Sequence, residues 1–380
     1  MVRLLQEFGW SRSVLAGAFS VFTLVHGFAN WGVGVLCDRL RPERLVAWGG
    51  AALGVALWAD SYVETPLQLY AAFGVFTALA VATSGWVPAV VQVQRRFQDR
   101  MGLSLGIVSS GVGLGMLLVV PLCQVLIEAQ GWRFALRALG VVCIACIVPL
   151  ALFLLREAES AGRGEAIGAP AQATARPGAL ALTLREAART WPFWLIVMAF
   201  FFGNVCSQTL HVHQAAFLVD HGVDAMLAAT VVGVVGAASI GGKIGGGWLS
   251  DRIDRELVYV GGIAILVASF AALAAVGAAP SRLGAYGYGA LLGIGYSVTA
   301  SLTPAMASDR FAGPHFGAIV GVGLFASALG SAVGPWMAGW LFDRTGSYAV
   351  PFLIAAACGL GSGAAGWIAR TLRLRAAHPR

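Results

Sequence analysis

Residues 239–255 have the sequence Ser-Ile-Gly-Gly-Lys-Ile-Gly-Gly-Gly-Trp-Leu-Ser-Asp-Arg-Ile-Asp-Arg and close an apolar stretch that begins at Ala225. Lys243 is the only lysine among the 380 residues and the only charged residue between Ala225 and Ser250. An ionisable side chain inside an apolar span of membrane length is costly and typically marks a functional site. The glycines around Lys243 let another helix or a ligand approach the backbone closely. We therefore predict that this stretch is a membrane helix that lines a site.

The composition is that of an integral membrane protein. Hydrophobic residues make up 58% and charged residues 11% of the chain, with a mean hydropathy of +0.78, whereas about 25% of residues are charged in soluble domains. Apolar stretches of about 20 residues, enough to cross the hydrocarbon core as a helix, recur without the alternation that a transmembrane barrel needs. We predict an all-α membrane protein with eleven transmembrane helices, near residues 13–36, 45–60, 66–92, 101–127, 132–155, 191–218, 225–249, 257–279, 282–306, 314–341 and 347–369.

The net charge of +7 comes from arginines that are scattered over short loops. They do not form the basic patch that nucleic-acid binding needs. Most of these arginines fall on one side of the predicted spans, and the positive-inside rule makes that side cytoplasmic. We expect a multi-pass protein of the cell membrane, plasma or inner, embedded in the lipid bilayer. Its central linker and C-terminus are expected to be cytoplasmic.

The chain divides around one polar segment. Residues 156–190 are rich in Ala, Gly, Pro and Arg and lack apolar periodicity, which indicates a flexible linker. The linker separates a first helical bundle of five spans, residues 1–155, from a second bundle of six spans, residues 191–380.

The two halves repeat. The motif Gly34-x-x-x-Asp38-Arg39 recurs 213 residues later as Gly247-x-x-x-Asp251-Arg252, as expected of a protein built from two parallel repeats. The span near 191–218 has no counterpart at this offset. We therefore expect that the first helix of a twelve-helix plan, and the native start, lie upstream of Met1.

The repeated motif places charges in two very short loops. An acid followed by bases at a helix end can interact with neighbouring helix termini, the carboxylate with an N-terminus and the bases with a C-terminus. We predict that these contacts gate the cytoplasmic side; the alternative is that the charges only cap helices and set topology. The predicted gating residues are Gly34, Asp38, Arg39, Arg44, Gly247, Asp251, Arg252 and Arg255.

A polar stripe follows the linker. Asn204, Ser207, Gln208 and His211 are spaced i, i+3, i+4 and i+7, on one helix face. Such a stripe must face protein or water, so it either lines a site or makes interhelical hydrogen bonds without a ligand. No acid lies in the middle of a span, which leaves Lys243 as our candidate for carrying a coupled proton. The predicted substrate-binding residues are Lys243, Asn204, Gln208, His211, Ser239 and Tyr296.

Motifs for enzymes, cofactors and metals are missing from the sequence. Cys143-x-x-Cys146 has the spacing of half a zinc site, but no second Cys/His pair has ligand spacing. No phosphate-binding loop, nucleophile elbow or His-Glu-x-x-His motif is present. We expect neither an enzyme nor a bound cofactor or metal.

The chain resembles the major facilitator superfamily, on the duplicated Gly-x-x-x-Asp-Arg loops and the central linker. Within it, three segments resemble the monocarboxylate transporter and oxalate/formate antiporter group: Glu7-Phe-Gly-Trp-Ser-Arg12, Arg95-Arg96 before Gly102-Leu-Ser-Leu-Gly106, and Gly242-Lys243 before Gly247-Trp-Leu-Ser-Asp251. The resemblance implies a two-bundle carrier that works by alternating access, is often coupled to protons, and takes small carboxylates. In the group, Arg usually stands at the position of Lys243, and animal members have Asp at the position of Ser239.

Three hypotheses follow. The first is a secondary transporter for a small organic anion, with Lys243 as its countercharge and protons as coupling partner. The second is an exporter of neutral or hydrophobic compounds. The third is a membrane sensor or scaffold that does not transport.

Overall fold

The computed structural model describes residues 2–89, 92, 101–160, 180–250, 252–312 and 316–377. Most of these residues are helical. The elements are α1 Val2–Phe8, α2 Arg12–Arg39, α3 Pro42–Asp60, α4 Pro66–Leu69, a π-helix Tyr70–Thr77, α5 Ala78–Ser84, α6 Met101–Gln130, α7 Trp132–Ser160, β1 Leu180–Ala181, α8 Leu184–Ala187, α9 Trp191–Asp220, α10 Ala225–Ser250, α11 Arg255–Ala278, α12 Arg282–Arg310, β2 Phe311–Ala312, α13 Phe316–Thr345 and α14 Ala349–Ala377.

The long helices overlap all eleven predicted apolar stretches, which confirms the all-α prediction. Among the described residues, nine helical segments are long and apolar enough to cross a membrane. Helices α3 and α12 are not among the nine, so the count of eleven is not confirmed. Helix α3 has only 19 residues with charges near both ends, and several side chains in the second half of α12 lie outside the described residues.

Four glycines end helices at corresponding places in the two halves. Within the described chain, positive φ angles occur at Gly9 (63°), Gly131 (85°), Gly222 (82°) and Gly346 (66°). A residue with φ > 0 after a helix is usually glycine because a Cβ is unfavourable there. Gly9 and Gly222 are separated by the 213-residue offset found in the sequence. The repeat therefore extends to the backbone conformation of the turns.

The helices group into two compact units: the described residues within 3–111 and 122–171 form one, and those within 112–121 and 172–380 form the other. In the first unit, α2 packs on the π-helix and on α5, and α3 packs on α7. In the second, α9 packs on α13 and α14, α10 packs on α12, and α11 packs on α12 and α14. The buried core of the second unit includes Leu210, Tyr259, Leu266, Tyr288 and Leu292.

The described end of the predicted linker is folded onto the second unit. Strand β1 pairs in parallel with β2, with Leu180 opposite Phe311. The Thr183 side chain caps α8 by accepting a hydrogen bond from the Glu186 amide, and Ala187 is fully buried in a cluster with Phe193 and Phe311. Paired backbone groups and buried side chains hold this part of residues 156–190 in place, in contrast to the flexible chain that the composition indicates.

Candidate functional site

Lys243 lies on α10 in the second unit with its side chain half buried. Its ammonium nitrogen lies 6.0 Å from the centre of the Tyr296 ring, which α12 contributes. The negative face of an aromatic ring attracts a cation at this distance. Two of the predicted substrate-binding residues thus meet across the α10–α12 interface.

Close packing of α10 on α12 makes this meeting possible. A Cβ on Gly242 would lie 3.0 Å from the Ile294 Cα, and one on Gly246 would lie 2.9 Å from a methyl group of Val298. Only glycine fits at such a helix contact without displacing its neighbour. By contrast, a Cβ on Gly241, Gly245 or Gly247 would meet no other described atom within 4 Å, so α10 keeps one open glycine face beside Lys243.

Tyr296 also contacts two further predicted residues. Its hydroxyl is hydrogen-bonded with the Ser239 hydroxyl, and Ser239 itself is fully buried and donates to the Gly236 carbonyl oxygen at 2.7 Å. The His211 imidazole meets the Tyr296 ring edge to face, with 4.6 Å between ring centroids and 74° between ring planes. Tyr296 therefore connects α9, α10 and α12.

The His211 side chain has a defined tautomer when neutral. Its Nδ1–H donates a hydrogen bond to the Ser207 carbonyl oxygen, 2.8 Å away, and a carbonyl can only accept. In the neutral ring Nε2 therefore carries the lone pair. Nε2 is buried and has no hydrogen-bond partner within the described part of the chain.

We call His211, Ser239, Lys243 and Tyr296 the Lys243 cluster. It brings together four of the six predicted substrate-binding residues, from three helices of one unit. The cluster contains one cation, one imidazole with an available lone pair and two hydroxyl groups, and the ring of Tyr296 contacts both the cation and the imidazole.

The other two predicted residues lie on α9 outside these contacts. The Asn204 Nδ2 donates to the Phe200 carbonyl oxygen at 2.9 Å, and its Oδ1 accepts from the Ser331 hydroxyl of α13 at 3.2 Å. This is the interhelical hydrogen bonding that the alternative interpretation predicts for the stripe. Gln208 is half buried, three residues before His211.

Sequence reasoning missed a second buried polar group on α9. His213 is fully buried; its Nε2–H donates to the Pro335 carbonyl oxygen at 2.8 Å, and its Nδ1 accepts from the Tyr348 hydroxyl at 3.0 Å. Gln214 accepts a hydrogen bond from the Tyr288 hydroxyl at 3.0 Å. Because both nitrogens of His213 are bonded within the protein, it ties α9 to α13 and to Tyr348, the residue that precedes α14. Residues i and i+2 lie on opposite sides of a helix, so His213 faces away from the side of α9 that contains His211. In the sequence, this spacing is the only feature that distinguishes the two histidines.

The predicted gating residues lie at helix ends and in the loops between them. The Arg252 guanidinium stacks 3.8 Å from the centre of the Trp248 ring, and Arg44 is exposed beside Trp48 in a surface groove of the first unit. A Cβ on Gly34 would meet no described neighbour within 4 Å. Asp251 and the side chains of Asp38 and Arg39 lie outside the described residues.

The loop before α11 contains a salt bridge that the motif did not indicate. The Arg370 Nε donates to the Asp254 carboxylate at 2.8 Å, which joins the start of α11 to α14. Arg255, a predicted gating residue, is the half-buried first residue of α11.

The motif Glu7 to Arg12 has a structural role in the first unit. The Glu7 carboxylate accepts hydrogen bonds from Trp132 Nε1 and from the Arg133 guanidinium, and Phe8 stacks on Trp10. These bonds hold the pKa of Glu7 below its usual value, the bond from Trp132 having the larger effect. The motif therefore joins α1 to the start of α7.

The first unit also buries a carboxyl group. Asp60 is 6% exposed, and its Oδ2 accepts a hydrogen bond of 2.8 Å from the Thr77 hydroxyl at the end of the π-helix. The other oxygen, Oδ1, is buried and has no hydrogen-bond partner in the described structure. The position of Asp60 at the end of an apolar stretch gave no sign of this burial.

Within the described residues, no group of three or more His, Cys, Asp and Glu side chains is arranged to hold a metal ion. Cys143 is half buried and Cys146 is exposed.

Comparison with known proteins decides the family. The family model described as the Major Facilitator Superfamily matches residues 1–335 and, in a second, overlapping match, residues 246–379. The chain belongs to the major facilitator superfamily. It is therefore a multi-pass membrane transporter, and the transporters it resembles are not enzymes.

Several relatives of this superfamily member carry transporter names. The MFS-type transporter YcxA of Bacillus subtilis is 24% identical over 375 residues, covering 94% of this chain and 85% of YcxA. Monocarboxylate transporter 12-B of Danio rerio is 28% identical over 84% of this chain and 71% of its own length. Monocarboxylate transporter 13 of Bos taurus is also 28% identical, over 85% and 72%.

The fold of the superfamily is also found in solved structures. The nucleoside transporter NupG has a TM-score of 0.77 to this chain with 14% sequence identity, covering 96% of this chain and 93% of NupG. A bacterial homologue of the lysosomal transporter Spinster has a TM-score of 0.68 at 15% identity, covering 97% of this chain and 91% of its own. At such identities the likeness concerns the fold alone.

Proposed function

We propose that this superfamily member is a secondary active transporter that moves a small organic anion of the monocarboxylate type across the cell membrane by alternating access, coupled to protons. The observation that carries the proposal is the position of Lys243. The single lysine of the chain is half buried in an apolar helix, and its ammonium nitrogen lies 6.0 Å from the centre of the Tyr296 ring, which His211 also contacts.

The energetics favour an anion as the ligand. A cation at membrane depth costs several kcal/mol, and the cation–π contact of Lys243 with Tyr296 contributes about 0.5–2 kcal/mol. A carboxylate that binds the ammonium forms a charge-assisted hydrogen bond, which is about twice as strong as a neutral one.

The relatives support the same substrate class. The named monocarboxylate transporters match this chain over more than four fifths of its length. NupG, whose name gives nucleosides as its substrate, resembles the chain only in fold. We take the anion as the substrate because the cluster contains a cation and because these relatives are named for carboxylates.

Gating and orientation complete the proposal. The arginine distribution supports a cytoplasmic linker and C-terminus. The loops with Gly34 to Arg44 and Gly247 to Arg255 are proposed to hold the cytoplasmic side closed. In the second loop the salt bridge of Asp254 with Arg370 supports contacts of this kind between helix ends.

The test is uptake of radiolabelled lactate, pyruvate or oxalate by purified protein in proteoliposomes with an inwardly directed proton gradient. Lys243→Ala should reduce uptake of the transported anion at least tenfold, since a hydrogen bond to a charged group contributes about 1.5–3 kcal/mol. Arg344→Ala is the matched control: Arg344 also stacks on an aromatic ring, 3.9 Å from the centre of Trp340, but at an exposed helix end. It should keep uptake.

Each alternative has its own outcome. Uptake that is equal in Lys243→Ala and in the wild type would refute the role of Lys243. Transport of neutral or hydrophobic compounds, with no anion moved, would establish the exporter, and absence of any transport in folded protein would favour the sensor or scaffold.

A further inference from the structure

We infer that His211 Nε2 is the binding site of the coupled proton and that Lys243 is a fixed countercharge for the anion. The inference rests on the proposed function and assigns the two charges of that function to two side chains. It departs from the sequence prediction, in which Lys243 carries both.

The hydrogen bonding of the imidazole leaves one nitrogen open. Ser207 fixes the orientation of the ring through Nδ1, so the only atom of His211 that can gain a proton is Nε2. This nitrogen is buried and has no hydrogen-bond partner in the described chain. A buried polar atom is normally satisfied, so this open acceptor is a place for a proton or a ligand donor.

The separation of Lys243 and His211 allows their charges to interact. Lys243 Nζ and the His211 ring lie 6.0 and 4.6 Å from the same Tyr296 centroid, so the ammonium is within about 11 Å of the imidazole. At that separation two positive charges near a protein surface repel enough to change a proton-binding equilibrium by about tenfold. An anion bound to Lys243 removes this repulsion and adds attraction. Proton and anion then bind together and leave together.

The proton balance is simple. When the anion binds from one side, a solvent proton adds to the Nε2 lone pair and forms imidazolium. When the anion leaves on the other side, the repulsion by Lys243 returns and the Nε2–H bond releases the proton to that solution. One proton and one monovalent anion cross together, without a covalent or redox step.

Other titratable groups near α9 are engaged elsewhere. His213 bonds to Pro335 and Tyr348, and the Tyr259 hydroxyl of α11 bonds with Ser362 of α14. Among the described residues of α10 and α12, Tyr296 contacts the His211 ring, and Lys243 contacts the same tyrosine ring. The acidic residues of α9 and α11 to α13 all lie close to helix ends: Asp220, Glu256, Asp309 and Asp343.

The experiment measures proton uptake when pyruvate, lactate or oxalate is added to purified protein in weak buffer with a pH-indicator dye, and gradient-driven uptake in proteoliposomes. Lys243→Arg keeps a permanent cation that does not titrate and should retain both proton uptake and gradient dependence. His211→Gln should lose both while still exchanging labelled for unlabelled anion. His211→Asn is a second variant in case the first does not fold, as judged by size-exclusion chromatography.

His221→Gln is the matched control. His221 lies at the exposed end of the same helix, and its Nδ1–H donates to the Phe217 carbonyl oxygen at 2.8 Å, in the same local geometry as His211. It should behave as the wild type. Retained proton uptake in folded His211→Gln and His211→Asn, or its loss in Lys243→Arg, would overturn the inference. If the wild type binds no anion, the proposed function itself fails, and the two failures are distinguished by the exchange assay.

Discussion

His211 and Tyr296 meet edge to face with ring centroids 4.6 Å apart, and the same tyrosine ring is also the neighbour of the only lysine of the chain. The arrangement makes Tyr296 the residue through which α9, α10 and α12 share one site. Its ring and its hydroxyl have separate partners, so their contributions can be separated by substitution.

Tyr296→Phe keeps the ring and removes the hydrogen bond with Ser239. We expect uptake to change less than about threefold, since a net hydrogen bond contributes about 0.5–1.5 kcal/mol. Tyr296→Leu removes the platform under Lys243 and beside His211 and should reduce uptake more than tenfold. The measurement is initial uptake rate against anion concentration. Equal losses in both variants would show that the hydroxyl, rather than the ring, is the important group.

Glycine spacing on α10 predicts a contrast between adjacent positions. Gly242→Ala places a methyl group against Ser297 and the Ile294 backbone, and overpacking of this kind costs about 1–3 kcal/mol. Gly241→Ala meets no described neighbour within 4 Å and should be neutral or slightly stabilising, because alanine favours helix. Thermal unfolding in detergent reports the difference. Equal stability of the two variants would contradict the observed α10–α12 packing.

Because the carboxyl group of Asp60 is buried, we expect the stability of the folded protein to depend on the Thr77 hydroxyl group. Thr77→Val removes the hydroxyl that donates to Oδ2, which leaves both carboxyl oxygens unsatisfied and should destabilise the protein by about 1–3 kcal/mol. Thr77→Ser retains the hydroxyl and serves as the control. Denaturant unfolding of both variants measures the effect, and similar losses would mean that the methyl group of Thr77 matters rather than its hydrogen bond.

The lowered pKa of Glu7 predicts an acid-sensitive contact between α1 and α7. The ionised carboxylate is favoured in the folded state, so its stabilisation is complete above the usual pKa of 4.5 and is lost as the pH falls through the lowered pKa. Glu7→Gln should lower the melting temperature at pH 7, by at most about 2 °C because the pair is exposed. The difference from the wild type should disappear in acid. Glu64→Gln, at another exposed glutamate of the first unit, is the control for loss of a surface carboxylate.

The sequence predicted helices well because a membrane limits the possibilities. A chain that crosses hydrocarbon must satisfy its backbone hydrogen bonds internally, so each apolar stretch of sufficient length became a helix, and glycine at Gly9 and Gly222 marked equivalent helix ends. The number of spans depends on hydropathy as well as on helix formation. Helix α3 formed as predicted, but its 19 residues include charges near both ends, and it is not among the nine segments apolar enough to cross a membrane.

Residue type alone identified Lys243 and His211 as candidates, because placing an ionisable side chain in an apolar span costs free energy whichever helices pack around it. Tertiary structure decided how these residues are used. The packing of three helices placed His211 and Lys243 on one ring, gave Asn204 a partner in Ser331, and satisfied both nitrogens of His213. Helical spacing predicts which residues share a face but not which neighbour that face meets. The neighbour follows only from contacts between residues far apart in the chain.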